Sequence, residues 1–356
     1  MAGCSGWSAR LVLPSFRSLA YTVGVKTAEH WRRLDSGLIE CGLCPHGCRL
    51  KEGADGICRV RGVRENGLVA LSYGAVSSTA MDPIEKKPLY HFRPGATIYS
   101  VGGWGCSFRC SFCQNWTISQ RGPPASDRYA PRDLVAAARR QGSEGIAYTY
   151  NEPLIAWEFV RDCAAEAREA GLFNVLVTNG FICPCPAREL LPFLQALNID
   201  VKSMDGGFYR RHCGGALEPV QRFAVQAVQA GCHVEITNLL IPGLNDSDET
   251  VTALADWVRE SLGESTPLHL SAYRPMYRMT VPATELRVLE RAFEICRARL
   301  SYVFLGNVRS GKGRDSVCPA CGAVLVARSG YATQVVGIRE NACSGCGRAC
   351  PEIVGA

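Results

Sequence analysis

Between residues 96 and 310 the chain alternates between short β-branched or aromatic runs and longer stretches whose apolar positions recur every three or four residues. The short runs predict strands over 97–101, 145–150, 173–178, 198–202, 233–239, 268–272 and 302–305. The longer stretches predict helices over 131–141, 154–170, 186–196, 218–230, 248–262 and 283–300. Gly142, Gly171 and Gly231 stand where three of these helices end, and Pro131 where one begins. Strands that alternate with helices pair in parallel through right-handed crossovers. The expected fold is therefore α/β, a partial or full parallel (β/α) barrel, whose active face is the carboxyl rim of its strands. Asn151 and Glu152, Thr178 and Asn179, Asp200 and Lys202, Asn238 and Tyr273 all fall on that rim. The loop after the first strand opens onto it as well.

The flanks differ from this core. Residues 27–95 are Gly-rich, carry cysteines and lack long periodic runs. Residues 311–356 open with the flexible SGKGRD linker and form a second cysteine-rich piece. Residues 1–26, with Arg10, Arg17 and Lys26, several serines and no acid, read as a disordered extension or a targeting segment. At 356 residues and 47% apolar content, the chain can bury a core without covalent staples. Its net charge of +6 is spread out with no compact basic stripe, which argues against a nucleic-acid partner. No apolar run approaches membrane-spanning length, so no membrane partner is expected.

The 19 cysteines change the picture, because most fall into spaced sets suited to metal ligation. Such sets point to thiolates kept reduced in a cytoplasmic setting. In GCSFRCSFCQN, Cys106, Cys110 and Cys113 supply three thiolates. A four-iron cluster normally takes four, so three leave one iron open for chemistry. The alternative is three buried structural cysteines. Cys41, Cys44, Cys48 and Cys58 could close a second metal site, either tetrahedral zinc or an electron-relaying cluster. Cys318, Cys321, Cys343 and Cys346 have the two-knuckle spacing of a zinc ribbon, with an auxiliary iron–sulfur cluster as the alternative and Cys350 as a substitute ligand. The remaining cysteines are expected to be mostly small buried hydrophobes.

Residues 38–350 resemble the radical S-adenosylmethionine (radical SAM) enzyme of the AmmeMemoRadiSam system, a branch related to pyruvate formate-lyase activating enzymes. The resemblance rests on CGLCPHGC, GICRVR, DPIEKKPLYHF, GCSFRCSFCQNW, TYNEP, VTNGF, IDVKS, IPGLND, GNV, CPACG and CSGCG. It implies a [4Fe-4S] cluster on Cys106, Cys110 and Cys113 whose open iron chelates SAM. Reductive cleavage of SAM then gives a 5′-deoxyadenosyl radical that abstracts hydrogen from a substrate. The resemblance places Phe112 near the adenine, and Thr178, Asn179, Asp200 and Lys202 near the ribose and carboxylate of SAM. Asn151-Glu152-Pro153 stands where many relatives carry Gly-Gly-Glu, so Glu152 is the expected acceptor from the SAM amino group. His269 could reach the same rim or simply pack. The implied partners are a one-electron donor such as flavodoxin or ferredoxin, together with Memo-like and AMMECR-like proteins. Two other functions compete: an activating enzyme that makes a glycyl radical on a protein partner, and a non-catalytic metal-binding module that contacts protein or nucleic acid. The segment DPIEKKP has no assigned role beyond a proline-bounded loop that could edge the barrel mouth.

Overall fold

The computed structural model describes residues 26–356; apart from Lys26, the predicted extension over 1–26 lies outside the described residues. Its centre is an eight-stranded sheet: β1 (Ser78–Pro83), β2 (Thr97–Gly102), β3 (Gly145–Tyr148), β4 (Phe173–Thr178), β5 (Ala196–Asp200), β6 (His233–Leu240), β7 (Leu268–Ala272) and β8 (Val303–Gly306). The strands lie side by side in chain order. From β2 to β8 every pairing is parallel, whereas β1 runs antiparallel to β2, with Ser78 opposite Gly102. Among the described residues no pairing joins β1 to β8, so the sheet is open, the partial form of the barrel.

Helices α1 (Pro131–Arg140), α2 (Trp157–Glu169), α3 (Pro184–Leu190), α4 (Leu217–Gln229), α5 (Asp248–Ser261) and α6 (Leu286–Arg297) connect successive strands from β2 onward. Each buries one apolar stripe, as Leu134, Val135 and Ala138 do on α1. Local chemistry sets their ends. The Ser247 hydroxyl accepts from the Thr250 amide to cap α5. The predicted helix over 154–170 begins instead as a 3-10 turn at Pro153–Ala156, capped by the Glu152 carboxylate. That over 186–196 ends early, because Pro192 lacks an amide hydrogen and the chain tightens into a 3-10 turn at Leu191–Phe193.

The stretch DPIEKKPLYHF receives a structural role. After β1 it crosses the inner face of the sheet, so that Ile84, Leu89 and Phe92 pack with Ile98, Ala147, Phe173, Val175 and Ala196. The Tyr90 and His91 amides donate to the buried Glu235 carboxylate at 3.0 and 2.7 Å, and Asn198 Nδ2 donates to the Pro88 carbonyl at 2.7 Å. This segment forms a floor across the amino-terminal half of the inner face. The carboxyl-terminal half stays open above it.

The flanking pieces dock on opposite sides of that floor. Small antiparallel ribbons at Trp31–Arg33, Ile39–Cys41 and Arg49–Leu50 hold the first cysteine-rich piece beside the β2 loop. The last piece pairs Ser316–Val317, Val324–Ser329 and Ala332–Val335 into a three-stranded sheet. It lies under the floor: Arg328 donates to the Tyr90 carbonyl at 2.5 Å and stacks 4.2 Å from the Tyr90 ring centroid.

Candidate active site

Backbone geometry positions the cysteine loop that follows β2. Gly105 has a φ of 81°, and a Cβ there would lie 2.6 Å from the Cys58 carbonyl oxygen, so only glycine fits. Asn151 fastens the loop from the β3 side: its Oδ1 accepts from the Gly103 amide at 2.9 Å and its Nδ2 donates to the Gly105 carbonyl at 3.1 Å. Farther along, the Arg109 and Ser111 amides donate to the carbonyls of Cys213 and His212, in a π-helical turn at Tyr209–Cys213. A hydrogen bond with the Cys213 thiol holds Cys110 below the ordinary thiol range and pushes Cys213 up. Cys213 is one of the cysteines expected to be mostly small buried hydrophobes; it is buried, and nothing in its spacing distinguishes it.

Cys106, Cys110 and Cys113 line one cavity of about 460 Å³ at the carboxyl rim, together with Phe112, Asn151, Glu152, Thr178, Asn179, Asp200 and Lys202. Glu152 is buried. Its Oε1 accepts from the Thr178 hydroxyl at 2.7 Å and the Leu154 amide at 2.9 Å, and its Oε2 from the Asn179 amide at 2.8 Å. Burial pushes its pKa up to about 7 against the pull of these hydrogen bonds. A carboxylate offers roughly four acceptor directions. Glu152 thus bolts the loop after β3 to the loop after β4 and leaves about one direction for anything else. Asn179 Nδ2 reaches Ser107 Oγ at 3.1 Å and Cys106 Sγ at 3.6 Å, which ties that second loop to the cysteines. Lys202 Nζ lies 2.8 Å from Asp200 Oδ2. Burial alone would lower the lysine's pKa, but the paired carboxylate outweighs it and holds Lys202 well above the ordinary lysine range.

Three rim residues lie outside the cavity. Side chains alternate along β6, so Thr237 and Leu239 face the cavity while Asn238 turns to the other side and donates to the Val201 carbonyl at 2.7 Å. Tyr273 is buried and donates to the Met279 carbonyl at 3.0 Å. His269 sits at the floor, 2.6 Å from Glu235 Oε2. Conversely, Lys86 and Lys87, in the DPIEKKP loop expected at most to edge the barrel mouth, join the cavity wall. Asp82 receives Lys86 on Oδ1, and Lys87 and the Tyr150 hydroxyl on Oδ2, each at 2.7 Å. The doubled lysine between two prolines was a visible signal, but only the floor topology brings it to the rim.

The flanking cysteine sets are built differently. Cys318, Cys321, Cys343 and Cys346 place all their donor atoms within 4.8 Å of one another, with Sγ–Sγ distances of 3.7 Å for Cys318–Cys346 and Cys321–Cys343. Thiolates about 2.3 Å from a tetrahedral zinc stand about 3.8 Å apart. Cys350 is not in this group; its thiol donates to the Arg348 carbonyl at 3.4 Å. Cys41, Cys44, Cys48 and Cys58 line a separate small cavity beside the triplet loop.

Residues 102–257 match the family model of the Radical SAM superfamily. An uncharacterized protein of Methanocaldococcus jannaschii is 40% identical over 330 residues, 91% of this chain and 98% of its own length. The pyruvate formate-lyase 1-activating enzyme of Escherichia coli K12 is 24% identical over 179 residues, 48% of this chain and 72% of the enzyme. Among solved structures, Streptococcus suis SuiB bound to S-adenosylmethionine superposes with a TM-score of 0.49 at 14% identity, covering 64% of this chain and 53% of SuiB.

Proposed function

The chain belongs to the radical SAM superfamily, and from that premise we propose that it cleaves S-adenosylmethionine reductively at a [4Fe-4S] cluster held by Cys106, Cys110 and Cys113. The observation that carries the reading is the convergence of these three thiols and the seven polar or aromatic residues around them on a single cavity of about 460 Å³. That volume suits a small-molecule cofactor. The three sulfurs do not close to single-ion distances, so the residues fit a group larger than one metal ion. When bound, the cluster and SAM supply a 5′-deoxyadenosyl radical that abstracts hydrogen from the substrate.

The chain's own residues bind, orient and shield. Phe112, only 3% exposed, offers an apolar face beside the last two cysteines. The Asp200–Lys202 pair presents an ammonium and a carboxylate to an amino acid's charged groups. Asn179 couples the loop after β4 to Cys106, so a ligand contacting that loop also bears on the cysteine set. The floor segment closes the inner face from below and keeps solvent from that side.

Similarity to the pyruvate formate-lyase 1-activating enzyme favours a protein substrate and a one-electron donor of the flavodoxin or ferredoxin class. The motif set of the AmmeMemoRadiSam branch favours Memo-like and AMMECR-like proteins as partners. The test is anaerobic reconstitution with iron and sulfide, reduction, and measurement of 5′-deoxyadenosine released from SAM. Release that disappears in Cys110→Ala supports the reading. Absence of release from a fully loaded, reduced wild-type protein given each of the named partners overturns it.

A further inference from the structure

The amino-terminal cysteines differ from the carboxy-terminal set in one measurable respect. Among the described residues, Cys318, Cys321, Cys343 and Cys346 are the one set of three or more potential ligands whose donor atoms all lie within 4.8 Å of one another. No three sulfurs of Cys41, Cys44, Cys48 and Cys58 meet that limit, and the four cysteines line a small cavity. The triplet Cys106, Cys110 and Cys113 does not meet it either, and that is the set for which the family implies a four-iron cluster. Spread thiols around a cavity suit a polynuclear group, because each thiolate binds its own iron at a corner of the core rather than one shared ion at the centre.

The cavity wall adds a second, independent sign. Arg61 lines it and is 1% exposed. Its Nη1 donates to both Glu158 oxygens, at 2.8 and 2.9 Å, and Nη2 donates to the Glu29 carbonyl. The buried Nε–H has no partner. An orphaned, charge-bearing donor in the wall of a thiol-lined cavity calls for an acceptor inside it, and a thiolate or inorganic sulfide supplies one. The remaining wall includes Leu43, Leu50 and Ile155, the apolar surround that shields iron–sulfur groups from water.

We propose that Cys41, Cys44, Cys48 and Cys58 hold a second [4Fe-4S] cluster, fully ligated by protein and set against the loop that carries the SAM-binding site. The two cysteine segments touch: His46 Nε2 donates to the Ser107 carbonyl at 2.8 Å, Arg109 donates to the Ile57 carbonyl at 3.4 Å, and Gly105 is pressed against the Cys58 backbone. The assignment builds on the reading of the rim cavity as a radical SAM site, yet its test separates the two.

The full chain is reconstituted anaerobically, and iron, sulfide and zinc are counted before the reduced protein is examined by electron paramagnetic resonance with and without SAM. The wild type should carry about eight irons, and Cys106→Ser/Cys110→Ser/Cys113→Ser about four. The signal left in that triple variant should not respond to SAM, because four thiolates leave no iron open. Cys44→Ser/Cys48→Ser should also lose about half the iron, while keeping the SAM-responsive signal. A wild type with only about four irons, all lost in the triple variant, and a second zinc removed by Cys44→Ser/Cys48→Ser would overturn the assignment. If the triple variant keeps its iron while the wild type shows no response to SAM, the radical SAM reading of the rim fails and the amino-terminal cluster stands.

Discussion

At the scale of single residues, the rim is held by charges that cannot be removed one at a time. Lys87 and Asp82 have side chains 2% and 5% exposed, and Asp82 also receives Lys86 and Tyr150. Asp82→Asn would leave the Lys87 ammonium buried without its counter-charge, a change that typically costs about 3–5 kcal/mol. Urea unfolding should show a loss of that order, and adding Lys87→Met should restore much of it by removing the orphaned charge. No restoration would mean that Asp82 acts through Lys86 or Tyr150 instead. At the neighbouring strand end, Lys202→Met should weaken SAM binding about tenfold or more, since a charge-assisted contact contributes about 1.5–3 kcal/mol. Iron content should be unchanged, because Lys202 bonds Asp200 and belongs to none of the three cysteine sets. Equilibrium dialysis with labelled SAM, alongside an iron assay, reads both quantities. Sequence alone could place residues at strand ends but not choose a face there: Thr237 reaches the cavity and Asn238, one position along, does not. A register known to within one residue is not enough when side chains alternate.

Elements were legible where a periodic pattern and a breaker agreed. The strands at Phe173–Thr178 and Leu268–Ala272 coincide with those expected from their β-branched and apolar runs, three others differ by one or two residues at one end, and those expected over 198–202 and 302–305 are displaced along the chain, by two residues to Ala196–Asp200 and by one to Val303–Gly306. What escaped was structure set by tertiary partners. The edge strand Ser78–Pro83 has no clean alternation and exists because β2 offers a free edge. The π-helical turn at Tyr209–Cys213 answers to the cysteine loop hung on its carbonyls. The last cysteine set shows the reverse case, where spacing suggested the element and the 3.7 Å sulfur contacts suit one zinc ion. Its own core is only Cys318, Leu325, Val326, Cys343, Cys350 and Ile353, so a bound metal would supply much of its stability. Cys321→Ser/Cys346→Ser should lose about one zinc per chain by mass spectrometry and lower the thermal midpoint of the whole protein. Unchanged zinc content would end the ribbon reading.

Across the whole molecule, the floor links the active rim to the terminal piece, and its ionisable groups make that link sensitive to acid. Glu235 is fully buried among His233, His269 and the amides of Tyr90 and His91. Burial by itself would raise its pKa, but the hydrogen bonds from His233 and His269 outweigh it and hold the carboxyl well below its ordinary value of 4.5. His91 bonds Ser316 of the terminal piece at 2.9 Å, and burial pushes its pKa down from 6.5 to about 3. In both groups the unfolded chain binds protons more readily than the folded one, so stability rises with pH across each interval. The His91 contribution is complete above pH 6.5 and is lost as pH falls toward 3. The Glu235 contribution is complete above pH 4.5 and is lost below it. Calorimetric midpoints should therefore be level above about pH 7, decline from pH 6.5 and steepen below 4.5. His91→Phe should flatten the decline between pH 6.5 and 4.5 even if it lowers the midpoint throughout, because the imidazole that titrates is gone. A slope unchanged by that substitution would show that the imidazole is not kept neutral in the folded floor, and that the link between barrel and terminal piece is not what acid breaks first.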